Sequence, residues 1–210
     1  HRALGSELAM RGVAQVIMVD YRRAPEHPYP AALQDGLACY HALLEAGWRA
    51  EQIVLGGVSG GCAHILSLAL TLRDRGLPLP AGLVMISPYL DITLSLPSVT
   101  RNARLDPMVT AHALRRGSDG YRGNIPENDP RVSPLFADLH GLPPVLVQAG
   151  SAEILLDDAL QFSERALAAG INVQCHIYDG LWHNFQMFNA LIAEADDALD
   201  EIGEFIKASN

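Results

Sequence analysis

The sequence predicts an α/β protein, a mostly parallel, doubly wound sheet with helices on both faces. Three observations carry this. Four short apolar runs are rich in β-branched residues and end at Gly, Pro, Asp or Ser. Segments with apolar residues three and four apart lie between them. Strand and helix then alternate along the chain, the order that lays parallel strands side by side with crossover helices packed on the sheet.

The first run is 13–20 (VAQVIMVD), apolar on both faces and stopped by Asp20. A helix is expected over 30–46, where Ala31, Leu33, Leu37, Tyr40 and Leu44 repeat. The second run, 52–57 (QIVLGG), leads into a helix over 61–74 with Ile65, Leu66, Leu68 and Leu70. The third is 82–87 (GLVMIS). Residues 91–142 then break the alternation with Pro, Arg, Asp and Ser and one helical piece near 107–117, the pattern of an insertion that covers a site. The fourth run is 144–150 (PVLVQAG). A helix follows, capped by Asp157 or Asp158 and stopped at Gly170. Residues 171–180 alternate more and read as a strand nearer the sheet edge. Apolar residues at 188, 191, 192, 195, 199, 202, 205 and 206 predict a final amphipathic helix.

Composition excludes several functions. The formal charge is −9, and the densest basic runs are only Arg22-Arg23 and Arg115-Arg116, so a nucleic-acid partner is not expected. No apolar stretch reaches the ~18 residues of a membrane span. Cys39, Cys62 and Cys175 are scattered without a CxxC pair, which reads as reduced thiols in a cytoplasmic protein without a metal site. No signal peptide is visible in a chain that starts at His1.

Gly57-Val58-Ser59-Gly60-Gly61 fits G-x-S-x-G. Many glycine-rich strand-to-helix turns fit it too, but here a strand precedes and a helix follows. That turn strains the serine backbone, and side chains two residues to either side are expected to collide. The hydroxyl is lifted above the sheet, and the N–H of Gly60 sits at a helix N-terminus where an oxyanion would form. A nucleophilic Ser59 needs a base and an orienting acid, in the chain order Ser, acid, His. Among eight histidines, His183 alone follows a strand and turn (YDG) and precedes the last helix. Glu153, three residues beyond Gly150, is assigned as the acid, with Asp157 as the second choice. Trp182 and Phe185 flank the base and are candidates for lining the substrate pocket.

These residues resemble the hormone-sensitive-lipase-like (bacterial family IV) esterases of the α/β-hydrolase fold. The resemblance runs through DYRRAPEHPYPAALQD (20–35), GGVSGG (56–61), SPYLDIT (87–93), DPRVSPL (129–135), LPPVLVQAGSAEILLDDA (142–159) and YDGLWHNF (178–185). It implies a Ser59–Glu153–His183 triad hydrolysing short-chain carboxylic esters through an acyl-enzyme, with Gly60 donating to the oxyanion and no metal or cofactor. A small-molecule ester is the implied partner, and a homodimer is compatible with it. Lactone or amide hydrolysis on the same triad, and a non-catalytic binding member of the fold, are the alternatives.

The resemblance also implies that Tyr21, Arg22, Glu26 and Asp35 brace the loop behind the serine. This chain differs in having Val58 where an acidic residue is usual, Gly60 for Ala, and Glu153 for Asp. Residues 1–210 are read as one α/β-hydrolase domain, with 91–128 as a cap-like insertion. The family's first strands and its oxyanion-binding HGGG segment are expected upstream of His1, in a longer protein. In a chain beginning at His1, the 13–20 strand is expected to move beside 52–57, or another chain to fill that place.

Overall fold

The computed structural model describes residues 2–209. Four strands, β1 (Val54–Val58), β2 (Gly82–Ile86), β3 (Val145–Gly150) and β4 (Val173–Tyr178), form one sheet in the order β1-β2-β3-β4. All three pairings are parallel, with Gly57 opposite Met85, Met85 opposite Val147 and Val147 opposite Cys175. The four runs read as strands after residue 50 are therefore the sheet, and β4 lies at its edge as its alternation implies.

Because side chains alternate across a strand, the two inner strands divide their residues between two cores. Leu83, Met85, Val145 and Val147 pack with Cys62, Leu66 and Ala69 of α3 (Gly60–Asp74) and with Phe162 and Ala166 of α6 (Leu156–Ala168). Val84, Ile86 and Leu146 face the other way, onto Leu199, Ile202 and Phe205 of α7 (Ala193–Ala208) and Leu4 of α1 (Arg2–Gly12). Same-handed crossovers between strands laid down in one direction place α3 and α6 on one face. Each fully buried aliphatic side chain stabilises this arrangement by about 1.5–3 kcal/mol. Outside α3 lies α2 (Ala31–Glu45), whose Tyr40 meets Leu68 and Leu72.

The run at 13–20 is not a strand. Residues 15–23 carry no regular structure, and Ile17, Met18 and Val19 are 48%, 55% and 41% exposed. An apolar run becomes a strand only where a ladder can pair its backbone, and among the described residues β1 pairs with β2 alone. The expected shift of 13–20 to a place beside β1 therefore does not occur. Helix α1, which periodicity did not single out, is held by Leu4 and by Arg11, which pairs with Glu7, Asp196 and Asp200.

The insertion contains α4 (Pro97–Arg101) and α5 (Ala111–Arg122). Helix α5 begins later than expected because Asp106 holds Met108 N in a turn and Thr110 supplies the cap, accepting from Ala113 N at 3.2 Å. Neither Asp157 nor Asp158 caps α6. Its cap residue is Leu155, and both carboxylates reach across the chain, Asp157 to Ser98 N and Asp158 to Leu90 N and Asp91 N. The last segment splits into a 3-10 turn, Phe185–Phe188, and α7. No helix among the described residues is long and apolar enough to cross a membrane.

The insertion docks onto the loop ahead of α2. Tyr29 N donates to Tyr121 O at 2.8 Å, and the Tyr121 and Tyr21 rings lie 5.3 and 5.0 Å from the imidazole of His64 on α3. His64 Nδ1 is buried without a hydrogen-bond partner, and burial pushes its pKa down from 6.5 to about 4. Its neutral ring is the folded form, whereas the unfolded chain takes up the proton first. The stability tied to this group is therefore full above pH 6.5 and is lost as pH falls towards 4. His64→Phe is expected to flatten that acid limb by up to about 3 kcal/mol, as urea denaturation at a series of pH values will measure.

Candidate active site

Strand β1 becomes α3 across one residue. Ser59 takes φ 54° and ψ −124°, a conformation that side chains rarely adopt. Its N–H still donates to Ile86 O at 2.9 Å, as a continuation of the β1–β2 ladder, while its carbonyl accepts from Cys62 N at 3.0 Å as the first turn of the helix. A Cβ on Gly57 would lie 2.7 Å from the backbone of Gly61 and Cys62, so glycine is required there. Gly61 differs from expectation. A Cβ on it would meet nothing within 4 Å, so the steric demand falls on the strand side of the turn.

Ser59 heads α3 without capping it, which leaves its hydroxyl free. Ser59 Oγ lies 3.0 Å from His183 Nε2, and His183 Nδ1 lies 3.1 Å from Glu153 Oε2. Glu153 is fully buried and His183 is 2% exposed. The other carboxylate oxygen, Glu153 Oε1, accepts from Gly150 N at 2.6 Å and from Ser87 Oγ at 2.7 Å. Ser87 Oγ in turn accepts from Asn184 N at 2.9 Å, so one hydroxyl joins the carboxylate to the residue following His183. Asp157 does not face His183; its carboxylate accepts from Ser98 N at 2.8 Å and Arg101 at 3.0 Å.

The four residues come from the carboxyl ends of four adjacent strands. Ser59 follows β1, Ser87 follows β2, Glu153 lies three residues past β3 and His183 five past β4. Ligands of open parallel sheets gather at this edge. The loops carrying Glu153 and His183 are bound to each other. Ser151 N donates to Tyr178 O at 2.8 Å and Ala152 N to Leu181 O at 2.9 Å. Gly180 N donates to Ser151 Oγ at 2.8 Å, and that hydroxyl donates to Asp179 at 3.1 Å.

Ser87 carries no residue-type signal. Its one sequence cue is its position directly after a strand, in a segment quoted above only for its resemblance. Its φ of 48° marks the same kind of tight exit as Ser59.

Phe185 lies fully buried against Ala195 and Ala198, with its ring 4.8 Å from that of Tyr178, so it is a core residue rather than a pocket wall. Trp182 is half-buried and meets Phe188 edge-on at 5.8 Å. Of the four residues expected behind the serine, Arg22 and Asp35 pair at 2.8 Å. Tyr21 instead packs on His64, and Glu26 is exposed. The remaining described histidines lie elsewhere; His176 meets Glu201 at 2.5 Å and His140 meets Asp138 at 2.6 Å. His1 lies outside the described residues. The three cysteines are free thiols. Among the described residues no cluster of three His, Cys, Asp or Glu side chains is placed to hold a metal ion.

A serine on a strained strand-to-helix turn, with a histidine and a buried carboxylate at the ends of later parallel strands, defines a hydrolase of the α/β type. The comparisons with known proteins agree. The alpha/beta hydrolase fold family matches residues 1–187. An esterase of Acinetobacter venetianus is 48% identical over 206 residues, covering 98% of this chain and 68% of that protein. An esterase of the bacterial hormone-sensitive lipase family superposes with a TM-score of 0.97 at 39% identity, over 100% of this chain and 70% of its own. The esterase EstE5, in a crystal soaked with p-nitrophenyl butyrate, gives 0.96 at 35% identity over the same shares. The chain belongs to the α/β-hydrolase fold family and, within it, to the hormone-sensitive-lipase-like esterases.

The junction of the two loops makes a prediction independent of chemistry. A Cβ on Gly150 would lie 2.1 Å from Leu181 O, a backbone atom that cannot swing aside. Gly150→Ala is therefore expected to destabilise the fold by about 3 kcal/mol or more, measured as a lower urea midpoint.

Proposed function

We propose that this chain hydrolyses short-chain carboxylic esters through Ser59, His183 and Glu153. The observation that carries the reading is the unbroken relay from Ser59 Oγ to His183 Nε2 at 3.0 Å and from His183 Nδ1 to Glu153 Oε2 at 3.1 Å. Each distance lies within hydrogen-bond reach, as a nucleophile, its base and an orienting acid require.

In the proposed reaction, Ser59 Oγ attacks the ester carbonyl carbon while His183 Nε2 takes the hydroxyl proton. Glu153 holds the imidazole in the tautomer that presents Nε2 and stabilises the imidazolium. The negative charge on the carbonyl oxygen is assigned to the N–H of Gly60, the first residue of α3, where the positive end of the helix dipole adds to it. Collapse breaks the bond to the alcohol, which leaves with the proton from His183. Water then attacks the acyl-enzyme and gives a proton to His183. The carboxylic acid departs, and Ser59 recovers its proton.

Asp157, tied to Ser98 and Arg101, is not the acid of this reading. We assign residues 91–128 as a cap-like insertion within one α/β-hydrolase domain. Short acyl chains are inferred from the family and from the butyrate ester soaked into crystals of EstE5. Trp182, half-buried and adjacent to the base, remains the pocket residue of this reading.

Turnover of p-nitrophenyl acetate by wild type and Ser59→Ala tests the assignment. The substitution is expected to lower kcat by about 10⁴-fold or more, with the fold unchanged by circular dichroism. A variant that keeps a tenth of the wild-type rate refutes Ser59 as the nucleophile. Across a series of p-nitrophenyl esters, acetate and butyrate are expected to be cleaved faster than decanoate, and the reverse order would overturn the short-chain reading.

A further inference from the structure

Besides its bonds to the His183 loop, the loop that carries Glu153 is held by side chains of the insertion. Asn102 Nδ2 donates to Ser151 O at 3.0 Å and to Glu153 O at 2.7 Å. Ser98 Oγ donates to Ile154 O at 2.8 Å and accepts from Asp157 N at 3.0 Å. Ile154 N donates to Asp106 Oδ2 at 3.1 Å. Ser98, Asn102 and Asp106 are all buried.

Both partners of Asn102 are carbonyl oxygens, so its amide must present the nitrogen, and each of its two N–H groups has an acceptor. No other side chain donates to the main-chain carbonyl of Glu153 among the described residues. The first half of the insertion, 97–106, is thus a frame for the acid loop rather than a cover free to lift away. A cover that rose as a unit would strand buried carbonyls on the loop beneath it.

We propose that Asn102 is a positioning residue for the reaction. By fixing the peptide of Glu153 it sets where that carboxylate meets His183. The proposal rests on the reading of Glu153 as the acid. The side chain of Glu153 extends from the peptide that Asn102 grips, so a displacement of that peptide is passed to the 3.1 Å contact with His183. Misplacing a reacting constellation by about 1 Å can cost on the order of 100-fold in rate.

The test is a double-mutant cycle on p-nitrophenyl acetate with Asn102→Ala, Glu153→Ala and the double variant, each checked for folding by thermal melting. Asn102→Ala is expected to lower kcat about tenfold with KM within about twofold, the split expected of a residue that acts on chemistry rather than on binding. In the Glu153→Ala background the same substitution is expected to have almost no effect, since a residue that works through Glu153 has nothing left to position. An undiminished tenfold loss in that background overturns the proposal and makes Asn102 a general structural residue. If Glu153→Ala alone keeps wild-type turnover, the acid assignment itself is what fails. Should Asn102→Ala not fold, Asn102→Ser, which keeps a single donor, replaces it in the same cycle with the same two readings.

Discussion

The structure depends on one strained residue. Between the last residue of β1 and the first of α3 there is only Ser59, with φ 54°. A strand can pass into a helix within one residue only if the backbone takes that conformation and the strand leaves room for the returning helix. Gly57 supplies the room. The strain is offset by what surrounds it: the ladder bond to Ile86 O, the helical bond from Cys62 N and a further bond from Tyr89 N to the same Ser59 carbonyl. Those bonds use the main chain of Ser59. The hydroxyl, which caps nothing, is left to His183.

The same logic recurs along the sheet edge. Each strand ends in a tight exit, and two of those exits, at Ser59 and Ser87, place a non-glycine residue at positive φ. Side chains that would diverge on gentler turns are thereby gathered in the order of the strands. The loops carrying Glu153 and His183 are then pressed together where Gly150 meets Leu181, and the Glu153 loop is also held by Asn102, Ser98 and Asp106. The result is a buried carboxylate that accepts from Gly150 N and Ser87 through Oε1 and meets His183 through Oε2. Buried charge is tolerated only where it is matched in this way.

Much of this was legible in the sequence because burial leaves a pattern. Strands β2 and β3 were legible because runs buried between two helical layers are apolar on both sides, β1 because Val54, Leu55 and Val58 still pack on the two cores, and β4 because its residues alternate. Ser59, Glu153 and His183 were legible from chain order and strand ends, and the fold brings those three together. What failed was information that a one-dimensional pattern does not hold. The run at 13–20 looks like a strand, but pairing is decided by neighbours, and Ile17, Met18 and Val19 are exposed. Asp157 and Asp158 sit where helix caps belong, yet their carboxylates serve distant backbone N–H groups. Phe185 beside the base turned into the core. Ser87 and Asn102 were missed because serine and asparagine are mostly exposed residues with no chemical signature of their own until their partners are known.

The central claim is that His183, held by Glu153, activates the hydroxyl of Ser59. It is tested most directly by covalent labelling with a small fluorophosphonate, comparing wild type with His183→Ala and locating the adduct by peptide mass. The account predicts one phosphonylated residue, Ser59, formed rapidly in the wild type and at least about 100-fold more slowly without the imidazole. An adduct on another residue, or labelling of Ser59 at an unchanged rate in His183→Ala, would contradict it.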